Sequence, residues 1–399
     1  MVGAIGVVGV AWFATRDDDD DELGGLKALV PLKMDQACSA GIPDACLQSA
    51  AKAMAATAAP DLPDVLAKYQ TACDRGFLEG CGHLARMQLD GTGGKSEVAA
   101  ARALAEKACT DGSGSSCDVA GHIFGSGIGV PIDHAKAYAR WQRGCDLGDA
   151  SSCIHSARAT RVGLGTRRDP TTSASLGAQA ASLSERACGP ADADACRVHG
   201  LVLARGLAGT KDIPRAAILF QQACDLGSPD ACSDLGQLYV RGIGLPKDAP
   251  RGVAALRRGC ERGSIAGCQA LAVATAPADP VAAYAIAKTA CDHHDRHCAL
   301  LGNFYETGVG VPKDLALARA WHERACRGGD AMSCAAAARQ DSAKALELIS
   351  RSCDLGWALA CKEVGTLAAE RKDHAIAAAN FRLACDLSDG EIGCTEAKK

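Results

Sequence analysis

Residues 232–260 read Cys232-SDLGQLYVRGIGLPKDAPRGVAALRRG-Cys260, and the order of residue types in that stretch sets the fold. Leu235, Leu238 and Tyr239 fall at the i, i+3, i+4 spacing of one helix face. Gly242-Ile-Gly244-Leu-Pro246 then ends the helix, because glycine permits left-handed backbone and proline forbids continuation. Asp248 and Pro250 are start signals for a second helix, the proline being tolerated in the first turn. That helix runs through Ala254, Leu256 and Arg257 to Cys260. The unit is therefore a helix pair bounded by two cysteines.

The same grammar recurs along the chain. Nine cysteine pairs share the spacing C-x7-C: Cys38 with Cys46, Cys73 with Cys81, Cys109 with Cys117, Cys145 with Cys153, Cys188 with Cys196, Cys224 with Cys232, Cys260 with Cys268, Cys326 with Cys334 and Cys353 with Cys361. The pair of Cys291 with Cys298 is one residue shorter and that of Cys385 with Cys394 one longer, and no cysteine is left over. First members mostly recur every 35 or 36 residues, which is the signature of a solenoid and overrides the usual inference of several globular domains from chain length. Ten stretches separate the eleven pairs, giving ten helix pairs preceded by a terminal helix near 25–38. Scarce aromatics and abundant Ala, Leu and Gly suit thin, closely packed helix pairs.

Within each cysteine pair, glycine stands three residues after the first Cys in eight of eleven cases: Gly41, Gly76, Gly112, Gly148, Gly227, Gly263, Gly329 and Gly356. A helix C-terminus favours its left-handed residue there. Asp149 and Ser228 follow as candidate caps of the next helix. One cysteine thus ends the second helix of a unit and its partner enters the first helix of the next. Even number and strict pairing point to disulfides and an oxidising compartment. Zinc fits less well, since its ligands usually stand two to four residues apart and number four. Each bridge would close a loop of about nine residues, worth roughly 2.5 kcal/mol by chain entropy.

The formal charge of −4 resides at the N-terminus. Removing residues 1–22, with Arg16 and six acids, leaves 42 basic against 41 acidic residues. No nucleic-acid footprint survives that subtraction. Residues 1–14 contain the apolar run VGAIGVVGVAWFA, short for a membrane span and suited to a signal segment or the remnant of an anchor. Residues 15–24, TRDDDDDELG, form a self-repelling acidic linker, and residues 25–399 form the repeat solenoid.

Three units depart from the pattern. Cys153 to Cys188 is long, and RVGLGTRRDPTTSAS (161–175) suggests an extended loop. Cys334 to Cys353 is short, leaving two turns for its first helix. The loop between Cys291 and Cys298, DHHDRH, lacks the capping glycine and places His293 and His297 four apart, where a helical turn could aim both at one metal; a polar exposed loop is the simpler reading.

The turn motifs carry a resemblance. Leu235-Gly-Gln-Leu-Tyr239 with Gly242-Ile-Gly244-Leu-Pro-Lys-Asp248, Leu301-Gly-Asn-Phe-Tyr305 with Gly308-Val-Gly310-Val-Pro-Lys-Asp314, and Phe124-Gly-Ser-Gly127-Ile-Gly129-Val-Pro-Ile-Asp133 together resemble the Sel1-like repeat family. With the cysteine pairs, the chain is similar to that family's cysteine-rich branch, typified by the Helicobacter cysteine-rich proteins. The resemblance implies an all-α superhelix related to tetratricopeptide repeats, secreted or periplasmic, acting through protein–protein contacts; repeats stacked with a slight rotation create a long concave face for such a partner, and the chain is expected to be a monomer. It implies no cofactor. Some relatives carry a β-lactamase label, which makes weak β-lactam or cell-wall-fragment hydrolysis the alternative.

The chemistry for that alternative is thin. A serine β-lactamase needs S-x-x-K with S-D-N and K-T-G. Ser49-Ala-Ala-Lys52 is the single S-x-x-K, Lys288-Thr289 is followed by Ala290, and Ser233-Asp234 by Leu235. Gly93-Gly94-Lys95-Ser96 imitates a phosphate loop, but the required first glycine falls on Leu89 and no strand precedes it. Trp141 and Trp321 share a register with Tyr69, Phe220, Leu256, Ile349 and Phe381, which marks packing between repeats.

Overall fold

A computed structural model of the chain describes residues 34–56, 59–189, 192–293, 295–388 and 392–398. Both the apolar run of 1–14 and the acidic linker of 15–24 lie outside the described residues. Helix α1 (Met34–Ser39) leads into ten antiparallel pairs. They are α2 and α3 (Pro43–Ala55, Leu62–Asp74), α4 and α5 (Leu78–Asp90, Val98–Asp111), α6 and α7 (Gly114–Ser126, His134–Asp146), and α8 and α9 (Ala150–Val162, Pro170–Ala187). Next come α10 and α11 (Ala193–Arg205, Ile213–Asp225), α12 and α13 (Pro229–Arg241, Ala249–Glu261), and α14 and α15 (Ile265–Thr275, Pro280–His293). The series closes with α16 and α17 (Ala299–Thr307, Leu315–Arg327), α18 and α19 (Ala331–Gln340, Ala345–Asp354), and α20 and α21 (Ala358–Glu370, His374–Leu387). Of the described residues 75% are helical, and no strand occurs among them.

Local chemistry explains the element ends. All eight glycines placed three residues after a cysteine have positive φ, from 81° at Gly41 to 111° at Gly112. The G-x-G turns close the first helices in the same way, Gly242 at φ 69° and Gly244 at φ 66°. Asp133, Asp212, Asp248 and Asp314 then accept backbone N–H bonds at the start of α7, α11, α13 and α17. The phosphate-loop look-alike is such a turn, with Gly91 and Gly93 both left-handed after α4.

Asp149 caps α8 through the Ser152 N–H at 2.7 Å. Ser228 does not cap α12. Its hydroxyl donates instead to Asp194 Oδ1 at 2.6 Å, because the inner helix of the preceding unit offers a charged acceptor. Two further expectations change. The long unit extends no loop: Asp169 receives the N–H groups of Thr171 and Thr172, so α9 starts at Pro170 and the extra residues lengthen that helix to 18. In the short unit α18 keeps 10 residues, more than two turns, and the loop to α19 shrinks to 341–344.

All eleven cysteine pairs stand at disulfide distance. The Cα–Cα separation is 4.6 Å for Cys73 with Cys81, Cys109 with Cys117, Cys145 with Cys153, Cys224 with Cys232 and Cys326 with Cys334. It is 4.5 Å for Cys38 with Cys46, Cys260 with Cys268 and Cys353 with Cys361. The two pairs of unusual spacing match them, at 4.4 Å for Cys291 with Cys298 and 4.7 Å for Cys385 with Cys394, while Cys188 with Cys196 is the tightest at 4.3 Å. Nine pairs join one unit to the next: Cys73 lies in the last turn of α3 and Cys81 in the first turns of α4, and Cys353 and Cys361 stand likewise on α19 and α20, while Cys38 with Cys46 ties α1 to α2 and Cys385 with Cys394 ties α21 to the C-terminal segment.

The interior is a chain of small clusters, each shared by neighbouring pairs. One is Leu89, Val119, Ile123 and Ile128; another is Ala216, Phe220 and Leu235. Alanine and glycine let the helices approach closely. A Cβ on Gly121 would collide with the Trp141 ring and one on Gly125 would lie 2.9 Å from it, so Trp141 packs within its own unit and also stacks on His155 of the next. Arginines two residues before a cysteine bind neighbouring helix ends: Arg143 donates to the carbonyls of Cys109 (3.0 Å) and Thr110 (2.8 Å), and Arg351 to that of Cys326 (3.3 Å). A cation at a helix C-terminus complements the dipole there.

Candidate functional site: a charged inner channel

Successive first helices (α4, α6, α8, α10, α12, α14) touch one another, whereas successive second helices are separated by them. In a curved stack the layer in mutual contact lies on the inside. The first helices therefore form the inner wall. Curvature continues until the second superhelical turn meets the first. Thr92, in the loop after α4, donates to the Gly263 carbonyl at 3.5 Å, across 171 positions. His134 at the start of α7 meets the Asp354 carbonyl at 2.7 Å, and Arg168 before α9 pairs with Asp386 at 3.1 Å. Gly227 and Gly329 pack their left-handed turns against the ends of α2 and α6, with ideal Cβ positions 2.7 Å from Ala55 N and Ser126 O. One seam recurs throughout: turns at a cysteine pair of the second superhelical turn sit on the loop edge of the first. The concave face is thereby the wall of an axial channel.

That wall is charged. Arg86 donates to Asp118 at 2.7 Å, and His155 Nε2 stands 3.6 Å from the same carboxylate. Arg197 holds Asp234 at 2.7 Å. Ser264 donates to Asp230 at 2.6 Å, repeating one unit later the bond from Ser228 to Asp194. Tyr69 stacks on His83, ring centroids 4.7 Å apart.

Charges on opposite walls act on one another. Burial pushes the Asp90 carboxyl up to about 6, with Arg86 opposing and Asp230 adding to the rise. Burial, then the neighbouring Asp118 charge, takes Asp149 up to about 6. Burial and the cations Arg86, Arg158 and Arg205 push His155 down to about 3, so it is a neutral imidazole near neutral pH. For Arg197, burial opposes the charge, but Asp234, Asp230 and Asp194 outweigh it and raise its pKa. Desolvation and nearby charge are the two causes at work. Asp90, Asp230 and Arg296 come from helices far apart in sequence, which the winding of the solenoid brings near one another.

The serine candidate lies elsewhere. Ser49 and Lys52 line a cavity of about 580 Å³ with Met34, Asp35, Ala53, Ala56 and Lys68. The Ser49 hydroxyl donates to Asp35, not to Lys52. Lys68 bridges Asp35 (3.2 Å) and Asp64 (2.7 Å). The Asp35 carboxyl is held below its ordinary range by the Ser49 hydrogen bond and by Lys68. Of the two histidines considered for a metal, the His293 side chain lies outside the described residues, as does His294. His297 sits in a one-turn 3-10 helix, Asp295–Cys298. Among the described residues no three His, Cys, Asp or Glu side chains gather as a metal site would require.

Sequence reasoning did not find the channel residues. A signal was present: acids recur two positions before the second cysteine (Glu79, Asp194, Asp230), and basic residues five after it (Arg86, His122, Arg158). The recurring R-x-C of Arg143, Arg258, Arg324 and Arg351 was equally visible.

No helix among the described residues is long and apolar enough to cross a membrane. A search of curated proteins finds no match. Among solved structures the chain is similar to a protective antigen present in uropathogenic Escherichia coli strains displaying an SLR fold, at 20% identity over 92% of this chain and 80% of that one (TM-score 0.38). It is also similar to a Sel1 repeat protein from Oxalobacter formigenes, at 19% identity over 77% of this chain and 89% of that one (TM-score 0.35). The Sel1 repeat pattern matches residues 78–113, 116–149, 193–228, 229–264, 298–330 and 336–357. With six repeats of this pattern laid over its helix pairs, the chain belongs to the Sel1 repeat family.

Proposed function

We propose that this chain is a non-enzymatic interaction scaffold of the bacterial cell envelope or exterior, of the cysteine-rich type typified by the Helicobacter proteins, and that it takes its partner on the inner channel wall. Sel1 repeat proteins are generally protein-interaction scaffolds. The observation carrying the proposal is the inner wall itself: successive inner helices set the pairs of Arg86 with Asp118 and Arg197 with Asp234 along it, a charged surface suited to recognition. Eleven cysteine pairs at disulfide distance indicate an oxidising, extracytoplasmic environment, and in such a place they hold the binding surface rigid, which lowers the entropy lost on binding. In this reading residues 1–14 direct or anchor the chain, 15–24 space it from the membrane, and 25–399 present the channel as a monomer.

Chemical cross-linking of the oxidised protein in intact envelopes, followed by mass spectrometry, tests the reading. Cross-links from inner-helix peptides to one defined protein support it. A chromogenic cephalosporin turned over by the wild type and not by Ser49→Ala would replace it with a hydrolase.

A further inference from the structure

The seam covers the cysteine-pair turns of the second superhelical turn and leaves their counterparts on the first turn bare. At the seam Gly227, Gly328 and Gly329 are buried. Arg262, the residue before Gly263, is 2% exposed, with its guanidinium on the Ala56 carbonyl. The same register on the first turn holds Ala40, Arg75, Asp111 and Leu147, each directly before a left-handed glycine, and all four are exposed. A Cβ added to Gly76 or Gly148 would meet no heavy atom within 4 Å. At Gly227, Gly263 and Gly329 it would lie 2.7, 2.5 and 2.7 Å from an atom of the first turn.

Arg75 is the clearest case. It stands one residue past the end of α3, as Arg262 stands one residue past the end of α13, yet its guanidinium has no hydrogen-bond or ion-pair partner among the described residues. The second turn carries the reciprocal edge. Its loops 242–248, 276–279 and 308–314 correspond to the first-turn loops whose Thr92 and preceding Ser126 meet Gly263 and Gly329. Ile243 there is 40% exposed, whereas Ile128, at the same place in the same Gly-Ile-Gly turn of the first superhelical turn, is 3% exposed. Each chain therefore presents both halves of the seam a second time, one at each end of the channel.

We propose that the first-turn edge at Arg75–Gly76 and Leu147–Gly148 takes a second copy of this chain, seated by the loop edge of that copy's second turn. Copies then stack head to tail and the channel continues from one into the next. The seam within a single chain is the precedent, since there the same kind of turn already packs on the same kind of loop. Arg75 supplies a donor for the C-terminal carbonyls of an inner helix, as Arg262 does for α2, and a cation is favoured at that end of a helix. The contact joins two different surfaces, so it is heterologous and does not close. This inference goes beyond the scaffold reading, whose single chain is the form at low concentration.

The test is sedimentation velocity of the oxidised full chain, from low micromolar to sub-millimolar concentration. The wild type should form dimers and then longer species as concentration rises. A first-edge variant, Arg75→Glu with Leu147→Glu, and a loop-edge variant, Ile243→Glu with Ala278→Glu, should each associate at least tenfold more weakly. Mixed in equal amounts, the two variants still share one intact pair of edges, and they should form a dimer that grows no further. If a charged variant melts below the wild type, Arg75→Ala with Leu147→Ser, or Ile243→Ser, takes its place. A wild type that stays monomeric throughout, a variant that associates as strongly as the wild type, or a mixture that forms no dimer overturns the proposal. None of these outcomes touches the scaffold reading, which cross-linking to a partner decides separately.

Discussion

The Arg262 guanidinium donates to the backbone carbonyl of Ala56, 206 positions earlier, at the C-terminal end of α2. Arg262 is 2% exposed and also donates to the Cys224 carbonyl at 3.4 Å. One side chain therefore ties the end of α11 in its own superhelical turn to the end of α2 in the preceding one. Replacing it with alanine leaves two carbonyls without their charged donor. The expected loss is about 1–3 kcal/mol, read as a lower denaturant midpoint, together with a larger radius of gyration by small-angle scattering. An unchanged radius would mean that the two turns are held without Arg262.

Two capping glycines separate the local role of the turn from its role in the seam. Gly148 has φ 90° and no heavy atom within 4 Å of an added Cβ, while Gly227 has φ 104° and Ala55 N at 2.7 Å. Gly148→Ala should cost roughly 1–2 kcal/mol from the left-handed backbone alone. Gly227→Ala should cost distinctly more, since α2 must also move. Equal midpoints in urea for the two variants would remove the close approach at the seam.

The channel makes stability depend on pH in two opposing ways. Asp149 is raised to about 6 in the folded chain, so between about pH 4 and 6 the fold holds more protons than the unfolded chain and loses stability as pH rises. His155 is lowered to about 3, so between about pH 3 and 6.5 the unfolded chain holds more protons and stability is lost as pH falls. Asp149→Asn keeps the helix cap, since asparagine caps as well as aspartate. Relative to wild type, that variant should gain stability on going from pH 4 to 6. His155→Gln should gain on going from pH 6.5 to 3. Urea midpoints at four pH values decide both signs.

Removal of a single bridge should be costly without being fatal. Cys145→Ser with Cys153→Ser opens a loop of about nine residues, and the chain-entropy treatment gives a loss of about 2.5 kcal/mol. Calorimetry of the oxidised variant should show a lower melting temperature with helix content retained at 20 °C by circular dichroism. Loss of helix content at that temperature would mean that the bridge is needed for the fold itself.

What was legible in the sequence was whatever is decided within one unit. Gly242 and Gly244 need left-handed backbone, Asp248 needs an N–H to cap, and Cys224 needs a partner one tight turn away; each such requirement leaves a residue type at a fixed offset. Ser228 escaped because its acceptor, Asp194, sits on the preceding unit and competes with the local cap. The length of α9 escaped because a Gly-x-Gly followed by Asp and Pro reads the same before a 13-residue helix as before one of 18. Arg262 and Ala56 escaped altogether. Their meeting depends on the small rotation between neighbouring repeats summed over several units, and no offset within a unit encodes that sum. The channel charges share this difficulty: Arg158 and Arg205 are ordinary surface arginines until the winding turns them inward.

The claim beneath all of this is that each cysteine bonds to its local partner, so that bridges run only between neighbouring elements of the solenoid. Proteolysis of the unreduced, alkylated protein followed by mass spectrometry tests it directly. The account predicts eleven bridges, every one between consecutive cysteines from Cys38–Cys46 to Cys385–Cys394. A bridge between cysteines of two different local pairs, such as Cys81 with Cys109 or Cys117 with Cys145, or a free thiol in the native protein, would contradict it.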